Sequence, residues 1–147
     1  MDKELERLAR DLVPLRPILL RGLSAGALAA PPRVVPPLEH PNRRAANLSS
    51  MRYSALADSK CIRAGLVFAS GKLEGQLDKV GLTDIATSLE LMHTYSLIHD
   101  DLPAMDDDDM RRGQPSNHVK FNEATAILAG DALQALAFET IASSKGI

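Results

Sequence analysis

Apolar positions recur at helical spacing from about residue 49 onward. Leu56, Leu66, Val67 and Phe68 fall in a stretch from about Ser50 to Leu73 that reads as helix with a break near Asp58–Lys60. Gly71, Gly75 and Gly81 predict a turn region after it. Thr83 and Asp84 read as caps of a helix running to about His99, with Ile85, Leu89, Met92 and Ser96 along its inner face. Pro103, Gly113 and Pro115 mark a break and a loop. Asn122 then caps a last helix, Glu123 to about Ala142, apolar around most of its circumference and therefore expected to be buried. No stretch alternates with period two, so the expected fold class is all-α.

The first 47 residues have a different texture, holding seven of the nine prolines. Asp2 to Val13 can form a short helix with Leu5, Leu8 and Leu12 on one face. Between Pro31 and Pro41 the prolines remove donors and fix φ, so no regular element is expected. The division predicted is a proline-rich arm over 1–47 and a helical domain over 48–147.

Bulk composition narrows the function classes. At 147 residues, 45% hydrophobic and 24% charged, the chain has the balance of a soluble globular domain. A net charge of −2 gives no electrostatic reason to expect nucleic acid or an anionic membrane as partner. The single cysteine, Cys61, excludes an internal disulfide, and His40, His93, His99 and His118 are too scattered for a zinc-ligand set. The start, MDKELERLAR, is acidic and unlike a signal or transit peptide. Asp131, Gln134 and Glu139 interrupt the most apolar stretch, so no membrane span is expected and the cytosol is the default location.

Charge is concentrated locally, because six of the twelve aspartates lie between Asp100 and Asp109. The segment Tyr95 to Gly113 reads YSLIHDDLPAMDDDDMRRG: helix, acidic cluster, then two arginines. Crowded carboxylates repel unless cations neutralise them. Hard divalent ions suit carboxylate oxygens, and magnesium shares phosphate oxygens with its substrate. Arg111 and Arg112 offer fork-shaped donors for phosphate. An EF-hand fails, since counting from Asp106 puts Met110 and Arg111 at loop positions that need Asp and Gly. Asp100 and Asp106 lie about 600° apart on a regular helix, so Pro103 must supply a bulged helix end. Spacing by itself leaves a magnesium–diphosphate site and a solvated acidic turn both open.

The string SLIHDDLPAMDDDDMRRGQP closely resembles the first aspartate-rich motif of trans-isoprenyl diphosphate synthases, in its bacterial form. HVKFNEATAILAGDALQALAFE is similar to the helix after that motif in bacterial farnesyl diphosphate synthases, and the likeness covers about Met51 to Ala142. It implies the first half of an all-α isoprenoid-synthase bundle. The implied reaction condenses dimethylallyl or geranyl diphosphate with isopentenyl diphosphate to a short-chain product, in particular farnesyl diphosphate. By the same resemblance, Asp100, Asp101 and Asp106 form the Mg²⁺ cluster, Asp100 and Asp106 as ligands and Asp101 in support. Arg111 contacts the allylic diphosphate, while Arg112, His93, Lys60 and Arg63 take the isopentenyl diphosphate. Tyr95 and Ser96, one turn upstream of Asp100, set product length.

Two departures from the family pattern temper the activity expected. Its Gly-Gly-Lys-Arg-x-Arg-Pro loop aligns with Asp58 to Ala64, which keeps Lys60 and Arg63 but loses both glycines, the middle arginine and the proline. Its second aspartate-rich motif has no counterpart after Asp109; Asp131 is expected to be a buried, hydrogen-bonded helix residue. A homodimer, or pairing with a longer synthase, would then supply the opposing ligands. The alternative is a non-catalytic relative that binds Mg-diphosphate or pairs with a full-length synthase.

Overall fold

The computed structural model describes residues 42–74 and 78–145. Within them the helices are α1 (Asn42–Ala55), α2 (Ile62–Glu74), α3 (Lys79–Asp100), α4 (Asn117–Lys120) and α5 (Glu123–Ala142). Between α3 and α4 lies a hairpin, β1 (Met110–Arg111) and β2 (Gln114–Pro115), paired Met110↔Pro115 and Arg111↔Gln114. The expected helix at Asp2–Val13, the Pro31–Pro41 segment and Gly75 lie outside the described residues. All-α is the class observed, and α1 runs through residue 47 without interruption.

The α3–α5 contact is the most extensive in the domain. On α5 the buried stripe is Ala126, Ala129, Gly130, Leu133, Leu136 and Ala137, at the spacing of one helical face. Three alanines and a glycine keep the axes close, and Leu133 is fully buried. The remainder of α5 is open: Ile127, Leu128, Phe138 and Ile141 are 40–63% exposed. This corrects the expectation of burial all round. The helix also meets the length and hydropathy of a membrane span, with mean hydropathy 1.2, a property that core helices of soluble proteins share.

On α3 the expected inner face holds only in part, since Met92 packs against the core but Leu89 does not lie inside. Thr87, Leu91, Thr94 and Ile98 face inward, and Leu89 is 40% exposed. Hydropathy hides this stripe because small hydroxyl residues line it. Ser88 Oγ donates to the Ala137 carbonyl at 2.8 Å, and Thr94 Oγ1 to the Glu90 carbonyl at 2.8 Å. Such bonds remove the cost of burying a hydroxyl. The helix begins at Lys79, a turn before the expected Thr83–Asp84 caps; Thr83 instead back-bonds to Lys79 within the first turn.

Gly71 and Gly81 also prove to be helix residues, in α2 and α3, rather than turn residues. Gly71 lets α2 approach closely, since a Cβ there would overlap the Leu82 side chain. Ala64 on α2 meets Ala86 on α3, both fully buried. Glu90, 6% exposed on α3, accepts the Ala64 backbone N–H at 3.1 Å and so caps the start of α2 from a neighbouring helix. The break expected near 58–60 is present between α1 and α2. The Asn122 cap is present too, its side chain accepting from Thr125 N at 2.8 Å.

The facing of α5 is testable by paired substitutions. Leu133→Ala should lower unfolding free energy by about 2–5 kcal/mol, whereas Leu128→Ser should change it by no more than about 0.5 kcal/mol. Urea denaturation of both variants measures the difference, and equal losses would mean that α5 is buried on both faces.

Candidate active site

The acidic segment folds back over the end of α3. Asp106 N–H donates to the Asp100 carbonyl at 2.8 Å, and Asp108 N–H to the Asp101 carbonyl at 3.2 Å. Met105 and Asp107 both donate to the Leu102 carbonyl, and Asp107 takes a positive φ of 54° to do so. Six residues of separation are thereby closed, as the bulged helix end predicts, and Asp106 stands beside Asp100. Asp106 is exposed and Asp100 half-buried.

Asp101 is treated differently. Its side chain is 3% exposed, and Arg111 grips it: Nε donates to Oδ1 at 3.0 Å and Oδ2 at 3.2 Å, and Nη2 also donates to Oδ1. Nη2 reaches Asp108 Oδ2 as well, at 3.2 Å. The hydrogen bonds that Arg111 donates to Asp101, more than any other factor, hold its guanidinium above its ordinary pKa, so it stays cationic. The sequence grouped Asp101 with the metal ligands and Arg111 with the diphosphate donors; here they are partners of each other. Among the described residues, no three His, Cys, Asp or Glu side chains converge on a point that could hold a metal. Asp100 and Asp106 nevertheless suit Mg²⁺, which typically takes one or two carboxylates and completes its shell with water and substrate phosphate.

Arg111 is delivered by the hairpin. Arg112 (φ 54°) and Gly113 (φ 77°) form its two-residue turn, and positive φ at both positions is what the tight primed turns of hairpins require. Glycine adopts that backbone freely, whereas Arg112 does so at a cost of about 1–2 kcal/mol. The hairpin escaped the sequence reading because strands of two residues show no alternation. It is anchored at its far side. Tyr53 Oη donates to the Pro115 carbonyl at 2.8 Å, and Ser116 Oγ donates to the Asp108 carbonyl. Asn117, 3% exposed, accepts from Ser50 Oγ and donates to the Ser50 carbonyl and Ser54 Oγ, at 2.6, 3.1 and 2.8 Å. Nothing local in the sequence signals this network, since its partners on α1 lie more than sixty residues away.

Arg112 lines a cavity of about 320 Å³ together with Lys60, Arg63, His93, Glu90 and the rest of the 58–62 segment. Four of the residues expected to take isopentenyl diphosphate thus meet in one cleft. The loop achieves this without the family's glycines; its left-handed residue is Cys61, φ 44°. Desolvation, and secondarily Arg63, lowers the His93 pKa below its ordinary 6.5, so the imidazole is neutral near pH 7. Glu90, which the sequence reading missed, opposes that shift while capping α2.

Tyr95 packs on the main core and meets the His99 ring edge-on, with centroids 4.8 Å apart. Ser96 donates to the His93 carbonyl at 2.9 Å. Asp131 is exposed, 3.9 Å from His99 Nε2, and not the buried residue expected, because it sits just off the stripe that α5 turns to α3.

The chain is similar in sequence and fold to known proteins. The Polyprenyl synthetase family model matches residues 46–146. A farnesyl diphosphate synthase of Haemophilus influenzae is 52% identical over 100 residues, covering 68% of this chain and 34% of that protein. A chloroplastic geranylgeranyl pyrophosphate synthase of Catharanthus roseus is 52% identical over 99 residues, 67% of this chain and 28% of that one. The crystal structure of a geranyltransferase from Legionella pneumophila superposes with a TM-score of 0.75 at 38% identity, covering 97% of this chain and 45% of that chain. The chain belongs to the polyprenyl synthetase family. It spans about a third of the length of the curated relatives it matches.

Two predictions follow from the charges. Arg111→Met leaves Asp101 buried without its cation and should cost roughly 1–3 kcal/mol, below the about 3–5 kcal/mol of fully buried pairs because Arg111 is itself one-third exposed. Chemical denaturation of the variant measures this. For His93, the folded pKa lies below the unfolded 6.5, so the unfolded chain binds the proton more readily as pH falls. Folding stability therefore drops on acidification below about pH 6.5. His93→Gln should flatten that part of the profile of Tm against pH, and an unchanged slope would show the titration lies elsewhere.

Proposed function

We propose that the chain forms the first wall of a short-chain prenyl diphosphate synthase active site. There an allylic diphosphate, dimethylallyl or geranyl, condenses with isopentenyl diphosphate, and the product is farnesyl diphosphate. The observation that carries this reading is the meeting of Lys60, Arg63, His93 and Arg112 in one cleft, with Arg112 next in the chain to the Arg111 that holds Asp101 beside Asp100. Relatives named for farnesyl and geranylgeranyl diphosphate synthesis support the substrate class.

In this reading Asp100 and Asp106 hold Mg²⁺ on the allylic diphosphate. When bound, the ion supplies Lewis acidity and charge neutralisation to the departing diphosphate. Asp101 and Arg111 fix the spacing of the two carboxylates, and Arg111 presents residual positive charge to the leaving group. Lys60, Arg63 and Arg112 fasten the second diphosphate, with neutral His93 as a further hydrogen-bonding group. Tyr95 and Ser96 border the path of the growing chain and limit its length. The chain works as a homodimer or paired with a longer synthase, in the cytosol.

A second reading, binding of Mg-diphosphate without turnover, is favoured by the altered Asp58–Ala64 loop, which lacks both glycines, the middle arginine and the proline of the family pattern. Calorimetry with inorganic diphosphate should detect binding only when MgCl2 is present. Asp100→Ala should weaken it at least about tenfold, or 1.4 kcal/mol. Binding that ignores magnesium or Asp100 would sink both readings. A transfer assay with labelled isopentenyl diphosphate then separates them, since turnover lost in Asp100→Ala selects the synthase and its absence selects the binder.

A further inference from the structure

His99 immediately precedes the first aspartate and has no part in the site described so far. Its ring is held on three sides. Nε2 lies 3.1 Å from the Ile127 carbonyl of α5. A carbonyl can only accept, so Nε2 carries the proton and donates. The ring rests against Gly130, where any Cβ would overlap Nε2 and Cδ2. Tyr95, one turn back on α3, closes the remaining side with its edge-on contact. Three-quarters of the side chain is buried.

This clasp grips the turn from which the acidic loop hangs. The His99 carbonyl accepts from Leu102 N–H at 3.2 Å, and the next two carbonyls, of Asp100 and Asp101, accept from Asp106 and Asp108. Helix ends fray where nothing tertiary restrains them. If the last turn of α3 loosened, those two acceptors would move and Asp106 would part from Asp100.

We propose that His99, seated in the notch left by Gly130, is a positioning residue that fixes the carboxylate-bearing end of α3 on α5. Through Tyr95 it also fixes the ring assigned above to product length. The functional consequence rests on reading Asp100 and Asp106 as the Mg-diphosphate site, but the mechanical claim does not.

Amide hydrogen exchange on the full chain tests it, comparing Asp106 and Asp108 with Leu133 in the core. His99→Leu fills the space without a donor, and Gly130→Ala pushes the ring out. His99→Gln restores an N–H near the Nε2 position. In the Leu and Ala variants, exchange at Asp106 and Asp108 should quicken about tenfold or more while Leu133 changes less than about twofold. The Gln variant should stay near the parent. Affinity for inorganic diphosphate with Mg²⁺ should fall about tenfold in the Leu variant and recover in Gln. Loop amides unmoved in the Leu variant would overturn the proposal. So would equal acceleration at Leu133, or a Gln variant as loose as Leu, since either marks His99 as filler for the fold. Should Gly130→Ala not fold, the two His99 variants decide alone. A parent that binds no diphosphate would fail the function proposed above, while the exchange data still decide the role of His99.

Discussion

Burying a carboxylate almost completely from water is costly unless a partner compensates its charge, and for Asp101 that partner is Arg111. The rest of the site follows from meeting that demand. Arg111 can reach Asp101 only if the chain returns across the end of α3. The hairpin provides the return, with its left-handed turn at Arg112 and Gly113. The return path in turn carries the intervening acidic residues back over the helix, where their amides find the carbonyls of Asp100, Leu102 and Asp101. Asp100 and Asp106 are left side by side and in reach of solvent. One ion pair thus sorts a run of chemically identical side chains into those that hold the structure and those free to act.

The hairpin that carries Arg111 to Asp101 also carries Arg112 to the cleft that it lines with Lys60, Arg63 and His93. Arg112 belongs to the cleft because Arg111 is committed elsewhere, so adjacent arginines take unlike roles.

Much of this was legible in residues 48 to 142. The Asn122 cap, the break before Ile62, and the concentration of Asp and Arg are local signals with local causes, and each was found where expected. What escaped had non-local causes. Glu90 reads as a surface residue until α2 is laid beside it, and Gly71 reads as a turn until Leu82 fills its missing side chain. Asn117 gains its meaning from Ser50 and Ser54, far away in sequence. The uniformly apolar α5 hid which face is covered, because periodicity vanishes when every face is apolar. Asp101 and Arg111 were singled out in the sequence, but their partnership with each other depends on a fold-back that spacing alone does not dictate.

The account is tested most directly by the crystal structure of this chain grown with MgCl2 and inorganic diphosphate. One oxygen each from Asp100 and Asp106 should lie about 2.0–2.1 Å from a Mg²⁺ that also touches the diphosphate, with Asp101 still held by Arg111. An Asp101 carboxylate swung onto the metal, with Arg111 released to the diphosphate, would contradict the division of roles on which the account stands.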